Sequence, residues 1–110
     1  MELTFSQYKR CDLVKAEGRI DSNTAPKLEE AFNAIIEGGQ PGIVFDMDAV
    51  DFISSRGIWV LLETQKICKR AKGKLALVNV SEEMLHSLDL AGVKHFVEIY
   101  DDLLAAVGSF

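Results

Sequence analysis

The chain is poor in everything that would make it a membrane protein, a disulfide-stapled protein or a metalloenzyme. Its 110 residues include two cysteines, two prolines, two histidines and one tryptophan. Cys11 and Cys68 stand far apart, without metal-ligand or redox spacing, and read as small buried hydrophobes in a reducing compartment. His86 and His95 are too isolated for a catalytic role. No apolar run approaches the roughly 20 residues that span a bilayer. The first residues, Met1-Glu2-Leu3-Thr4, lack the basic and apolar regions of a signal peptide. Positive charge is also scarce. Twelve basic residues face 17 acidic ones, a net charge of -5, which disfavours nonspecific binding to nucleic acid or anionic membranes. The one basic cluster, Lys66, Lys69, Arg70, Lys72 and Lys74, reads as the wet side and C-terminal end of a helix, where cations suit the dipole. No Ser/His/Asp elbow, phosphate-cradling glycine loop or metal motif occurs. Asp46, Asp48 and Asp51 form only a loose carboxylate cluster. The expectation is a cytoplasmic, non-enzymatic protein without cofactor or metal.

What is present fits one α/β domain over residues 1–110, a common domain size. Leu3 to Tyr8 and Asp12 to Ala16 are predicted to form a hairpin turning at Lys9-Arg10. Gly18 to Asn23 carries turn and capping chemistry. Ala25, Leu28, Phe32, Ile35 and Ile36 make one apolar stripe of a helix over 24–37, closed by Gly38-Gly39. Ile43-Val44-Phe45 reads as a central strand covered on both faces. A second helix is expected from Ser55 to Ala71, with Ile58, Leu61, Leu62, Gln65 and Cys68 inward. Leu75 to Val80 is another buried strand, and Ser81 caps a third helix. Phe96 to Ile99 is a short last strand, and Asp101-Asp102 opens a C-terminal helix. Alternating strands and helices imply a largely parallel sheet.

The densest signal lies between residues 43 and 62. A strand gives way to Asp51-Phe52-Ile53, then Ser54-Ser55-Arg56-Gly57, then a helix opening with Ile58-Trp59-Val60-Leu61-Leu62. Two hydroxyls therefore sit where the first helical N–H groups lack partners. A serine there can cap the helix, and a phosphate there would meet free donors and the positive dipole end. Trp59 falls between inner-stripe positions and should point sideways or outward. Gly57 costs a helix about 1 kcal/mol against alanine, which invites either simple tolerance or close approach by another backbone.

Together with Gly18-Arg19-Ile20-Asp21-Ser22-Asn23-Thr24-Ala25 and Leu88-Asp89-Leu90-Ala91-Gly92-Val93, these segments resemble the STAS domain family, and within it the bacterial anti-sigma factor antagonists. The resemblance covers essentially the whole chain. It implies a STAS-like single domain with a central mixed sheet, a largely parallel core and helices packed mainly on one face.

By the same resemblance the protein is a phosphorylation-controlled regulator, not an enzyme. It would bind a serine-kinase anti-sigma factor in a partner-switching pathway of transcription control, with a possible phosphatase removing the phosphoryl group to restore the active antagonist. Counting back from Gly57, Ser55 takes the first of the family's two hydroxyl places and is the implied phosphorylation site, with Ser54 second. Arg56 takes the other hydroxyl place. Asp21 matches an aspartate that contributes to the partner surface. The implied partner-binding set is Asp21, Ser54, Ser55, Arg56, Gly57 and Trp59, on a monomer or weak homodimer. The alternative is a non-phosphorylated STAS subunit of a lipid-transport or stress-sensing complex, with Arg56 and Trp59 anchoring a constitutive interface.

Overall fold

In the computed structural model, which describes residues 1–110, five strands lie in the order of the chain, β1-β2-β3-β4-β5. β1 (Glu2–Gln7) pairs antiparallel with β2 (Asp12–Ile20). β3 (Gly42–Ile53), β4 (Lys74–Val78) and β5 (Glu98–Tyr100) follow in parallel. The connections are α1 (Ala25–Glu37), α2 (Ser55–Arg70) and α3 (Glu82–Leu90) with a short 3-10 turn at Val93–His95; α4 (Leu103–Gly108) closes the chain.

Side-chain alternation along β3 divides the core. Ile43, Phe45 and Met47 enter the larger cluster with Leu28 and Phe32 of α1, Val60 and Leu61 of α2, and Met84 and Leu88 of α3. Val44 points the other way, to Cys11, Val78 and Ala106 of α4. Three helices therefore cover one face and a single short helix the other, as period-two alternation in a strand requires. Phe32 and Phe45 meet edge to face at 5.3 Å between ring centroids, a geometry that the ring quadrupoles favour.

Both central strands are longer than the residue pattern predicts. β2 does not end at Ala16 but runs to Ile20, and β3 continues through Asp51-Phe52 to Ile53. Two register shifts accommodate this, between Lys15 and Glu17 and between Gly18 and Arg19. Gly18 sits at the second with a φ of 103°, a conformation that suits a residue without Cβ. The last strand also moves: Val93–His95 forms the 3-10 turn, Phe96 lies exposed after it, and pairing starts at Glu98 rather than Phe96. β4 stops at Val78, and Asn79 turns the chain with a positive φ of 58°.

Candidate functional site

The long strands decide where the site forms. Ile20 and Ile53 are register partners at the ends of β2 and β3, and the Ser54 amide donates to the Ile20 carbonyl at 2.8 Å. Asp21 and Ser54 therefore leave the same sheet edge side by side. Each then starts a helix.

Asp21 organises its own turn. One of its carboxylate oxygens accepts the amides of Asn23 and Thr24 at 2.9 and 3.0 Å, and also lies 3.2 Å from the Thr24 hydroxyl. That hydroxyl donates to the Arg19 carbonyl at 2.7 Å and accepts the Asp21 amide. The Thr24 and Asn23 amide bonds hold the Asp21 carboxyl below its ordinary range, as donors to a charged form must. The turn is a preset anionic corner at the head of α1.

Ser54 and Ser55 separate into distinct roles. Ser54 is extended at the N-cap, half-buried, with Oγ accepting the Gly57 amide at 3.2 Å. Ser55 is the first helical residue and is exposed. The amides of Ser55 and Arg56 lie ahead of the first intrahelical bond, which runs from Ile58 to the Ser54 carbonyl. An oxygen-rich group on Ser55 would thus stand at an open helix terminus.

Gly57 has an internal explanation. It is buried, and a Cβ built on it would stand 2.7 Å from Cγ2 of Ile20 and 2.8 Å from Cγ1 of Ile53. The close approach is made by the chain's own two strand ends, not by a partner backbone on an open surface. Gly57 lets α2 seat on the point where β2 and β3 finish.

Arg56 and Trp59, one turn apart on α2, form a stack with the guanidinium 4.3 Å from the ring centroid. Arg56 also lies 3.7 Å from a carboxylate oxygen of Glu29 on α1. Trp59 is 43% exposed. A second stack escaped the sequence reading: Arg19 lies 4.1 Å over Phe52, its register partner in β3. The signal for it was period-two alternation continuing through Asp51-Phe52-Ile53. Glu29 was missed too, because a surface acid on a helix carries no mark of the neighbour it will meet.

The remaining candidates do not join this patch. Asp46 is buried, with one carboxylate oxygen accepting the Asp48 amide at 3.0 Å and the Asn79 side-chain amide at 3.2 Å. Asp48 and Asp51 are exposed on the same strand, and no three acids, imidazoles or thiols converge as metal ligands would. Burial pushes the Cys68 thiol up to about 11, which keeps it protonated and unreactive at neutral pH. His86 and His95 are exposed. No helix is long and apolar enough to cross a membrane.

Comparison with known proteins bears on the whole of this arrangement. The anti-sigma-B factor antagonist of Bacillus subtilis (strain 168) is 33% identical over 86 residues, 78% of either chain. The anti-sigma-F factor antagonist RsfB of Mycobacterium tuberculosis (strain ATCC 25618 / H37Rv) is 28% identical over 107 residues, covering 96% of this chain and 88% of the relative. The crystal structure of an anti-sigma factor antagonist from Mycobacterium paratuberculosis superposes with a TM-score of 0.88 at 26% identity, over 98% of this chain and 92% of that one. The STAS domain model matches residues 3–106, and with that match the chain belongs to the STAS domain family.

Proposed function

We propose that this chain is an anti-sigma factor antagonist that docks on a serine-kinase anti-sigma factor and is switched off by phosphorylation of Ser55. The observation that carries the reading is the division of labour at the head of α2. Ser54 spends its oxygen on the Gly57 amide, while its neighbour Ser55 is exposed beside the Asp21 turn. A kinase can reach the second hydroxyl without dismantling the cap. The names borne by the relatives support the same reading.

The docking surface comprises the Asp21 turn, Ser54 and Ser55, Arg56 and the Trp59 side of α2. Trp59 supplies a large rigid anchor of the kind enriched at interface hot spots. Arg56, held in place by its stack on Trp59, presents a cation to an acidic group of the partner. A phosphoryl group on Ser55 adds about -1.5 to -2 charges. Open amides and the helix dipole accept that charge locally, so the domain stays folded while the patch becomes more negative and bulkier. The partner is then repelled.

The test is incubation with the serine-kinase partner and ATP, followed by intact mass and fragment mapping. One phosphoryl group on Ser55, abolished in Ser55→Ala, is the expected result. A phosphoryl group on Ser54 would move the acceptor by one residue. Stable binding with no mass gain at either serine would replace the switch by the constitutive-subunit reading.

A further inference from the structure

Lys66, Lys69 and Arg70 lie exposed toward the C-terminal end of α2, as expected, and they also border a groove. Trp59, Leu62, Lys66, Lys69, Arg70 and Phe96 line a groove of about 600 Å³ between the outer side of α2 and the 3-10 turn. That volume lies within the range of small-molecule sites, roughly 300–1,000 Å³. We propose that this groove binds an amphipathic organic anion, with an apolar body against Trp59, Leu62 and Phe96 and an acidic head among Lys66, Lys69 and Arg70.

Three observations set the ligand class. The first is segregation along the helix. Trp59 lies in the first half of α2 and Leu62 at its middle, while Lys66, Lys69 and Arg70 follow toward its end, so the cations stand about 6 to 12 Å of rise beyond Leu62. A compact inorganic ion would use only one end of such a groove.

The second is exposed apolar surface. Phe96 is 65% exposed, immediately after a turn whose Val93 is buried. Its backbone carbonyl accepts the Gln65 side-chain amide at 2.7 Å, which fixes the segment carrying the ring. Two aromatic side chains thus border the same groove, Trp59 and Phe96.

The third is charge. The groove holds three cations and one acid on a chain of net charge -5. Lys66 meets Glu63 at 3.4 Å on the surface, a weak pair. Lys69 feels Glu98, which is itself held by Lys74 at 2.9 Å. Arg70 has no acidic partner within 4 Å. These cations leave a local positive excess on a net-negative chain, and it complements an acid.

Trp59 is the only tryptophan, so its fluorescence reports on the groove directly. The experiment titrates the chain with decanoate, below its micelle concentration, and with decanol, which has the same chain length and no charge. Decanoate should change the emission saturably, with Kd at or below about 1 mM. Decanol should bind at least fivefold more weakly. The double variant Lys69→Glu, Arg70→Glu should weaken decanoate at least tenfold, and Phe96→Ala at least threefold. All three positions are exposed, and a thermal unfolding curve matching the parent confirms that each variant is folded. Ser55→Ala, outside this groove, should bind decanoate as the parent does. Equal binding of decanol and decanoate, indifference to the charge reversal, or no saturable response would each overturn the proposal. None of these outcomes depends on whether Ser55 is phosphorylated.

Discussion

At the scale of single residues, Asp21 and Ser54 of the site already spend their side-chain oxygens on local amides. Gly57 shows how magnitudes choose between two explanations. Helix propensity alone says Gly57→Ala should gain about 1 kcal/mol. The Cβ, however, would enter space held by Ile20 and Ile53, both buried and branched, at under 3 Å. Overpacking of that kind costs typically 1–3 kcal/mol, so loss should outweigh gain. Thermal denaturation should show Gly57→Ala unfolding below the parent; a raised midpoint would show that the strand ends yield freely. Asp21 offers a pH test. Its carboxyl is lowered by the Thr24 and Asn23 amides, so the ionised form stabilises the folded chain above the unfolded-state value. That stabilisation disappears as pH falls through the lower folded value. Asp21→Asn keeps an acceptor oxygen for the turn but removes the charge. The parent should therefore melt above Asp21→Asn at neutral pH, and the gap should close on acidification below about pH 4. A gap unchanged at low pH would point to turn geometry rather than charge.

At the scale of elements, helices were the more legible part of the chain. The apolar stripe of α1, the serine caps of α2 and α3 and the Asp102 cap of α4 follow from local chemistry, and local chemistry is in the residues. Strand ends were not. Asp48 and Asp51 interrupt the apolar run, yet β3 carries them because β2 runs alongside as far as Ile20. That pairing is non-local, and it is what brings Asp21 next to Ser54. The candidate residues were thus readable singly, while their meeting depended on two register shifts that no short window reveals. Gln65 is a comparable case. It fell on the inner stripe of α2, where an apolar residue would be expected, and its role needs three elements at once. Its Oε1 accepts the Leu75 amide at 2.7 Å where β4 begins, and its Nε2 donates to the Phe96 carbonyl. Gln65→Leu should leave the buried Leu75 amide without a partner, at about 1–3 kcal/mol. Urea denaturation should show a lower midpoint with an unchanged slope. A midpoint equal to the parent's would mean that water or a shifted strand satisfies the amide.

At the scale of the whole molecule, the packed core and the proposed switch occupy different places. The core clusters lie on the two faces of the sheet, and the serines stand beyond its edge where β2 and β3 finish. Charge added at Ser55 should therefore alter association without altering the fold. Ser55→Asp makes the argument quantitative. An acid in the first turn of a helix is favourable by about 0.3–1 kcal/mol, so the thermal midpoint should stay level or rise slightly. The complex with the serine-kinase partner should weaken at least a hundredfold, roughly 2.7 kcal/mol, because like charges juxtaposed at an interface cost several kcal/mol. Ser55→Gln separates charge from bulk, since it adds a longer side chain and no charge. If calorimetry shows Ser55→Gln binding close to the parent and Ser55→Asp not binding, charge at the helix head operates the switch. Equal weakening by both would assign the effect to shape, and undiminished affinity of Ser55→Asp would remove Ser55 from the docking surface.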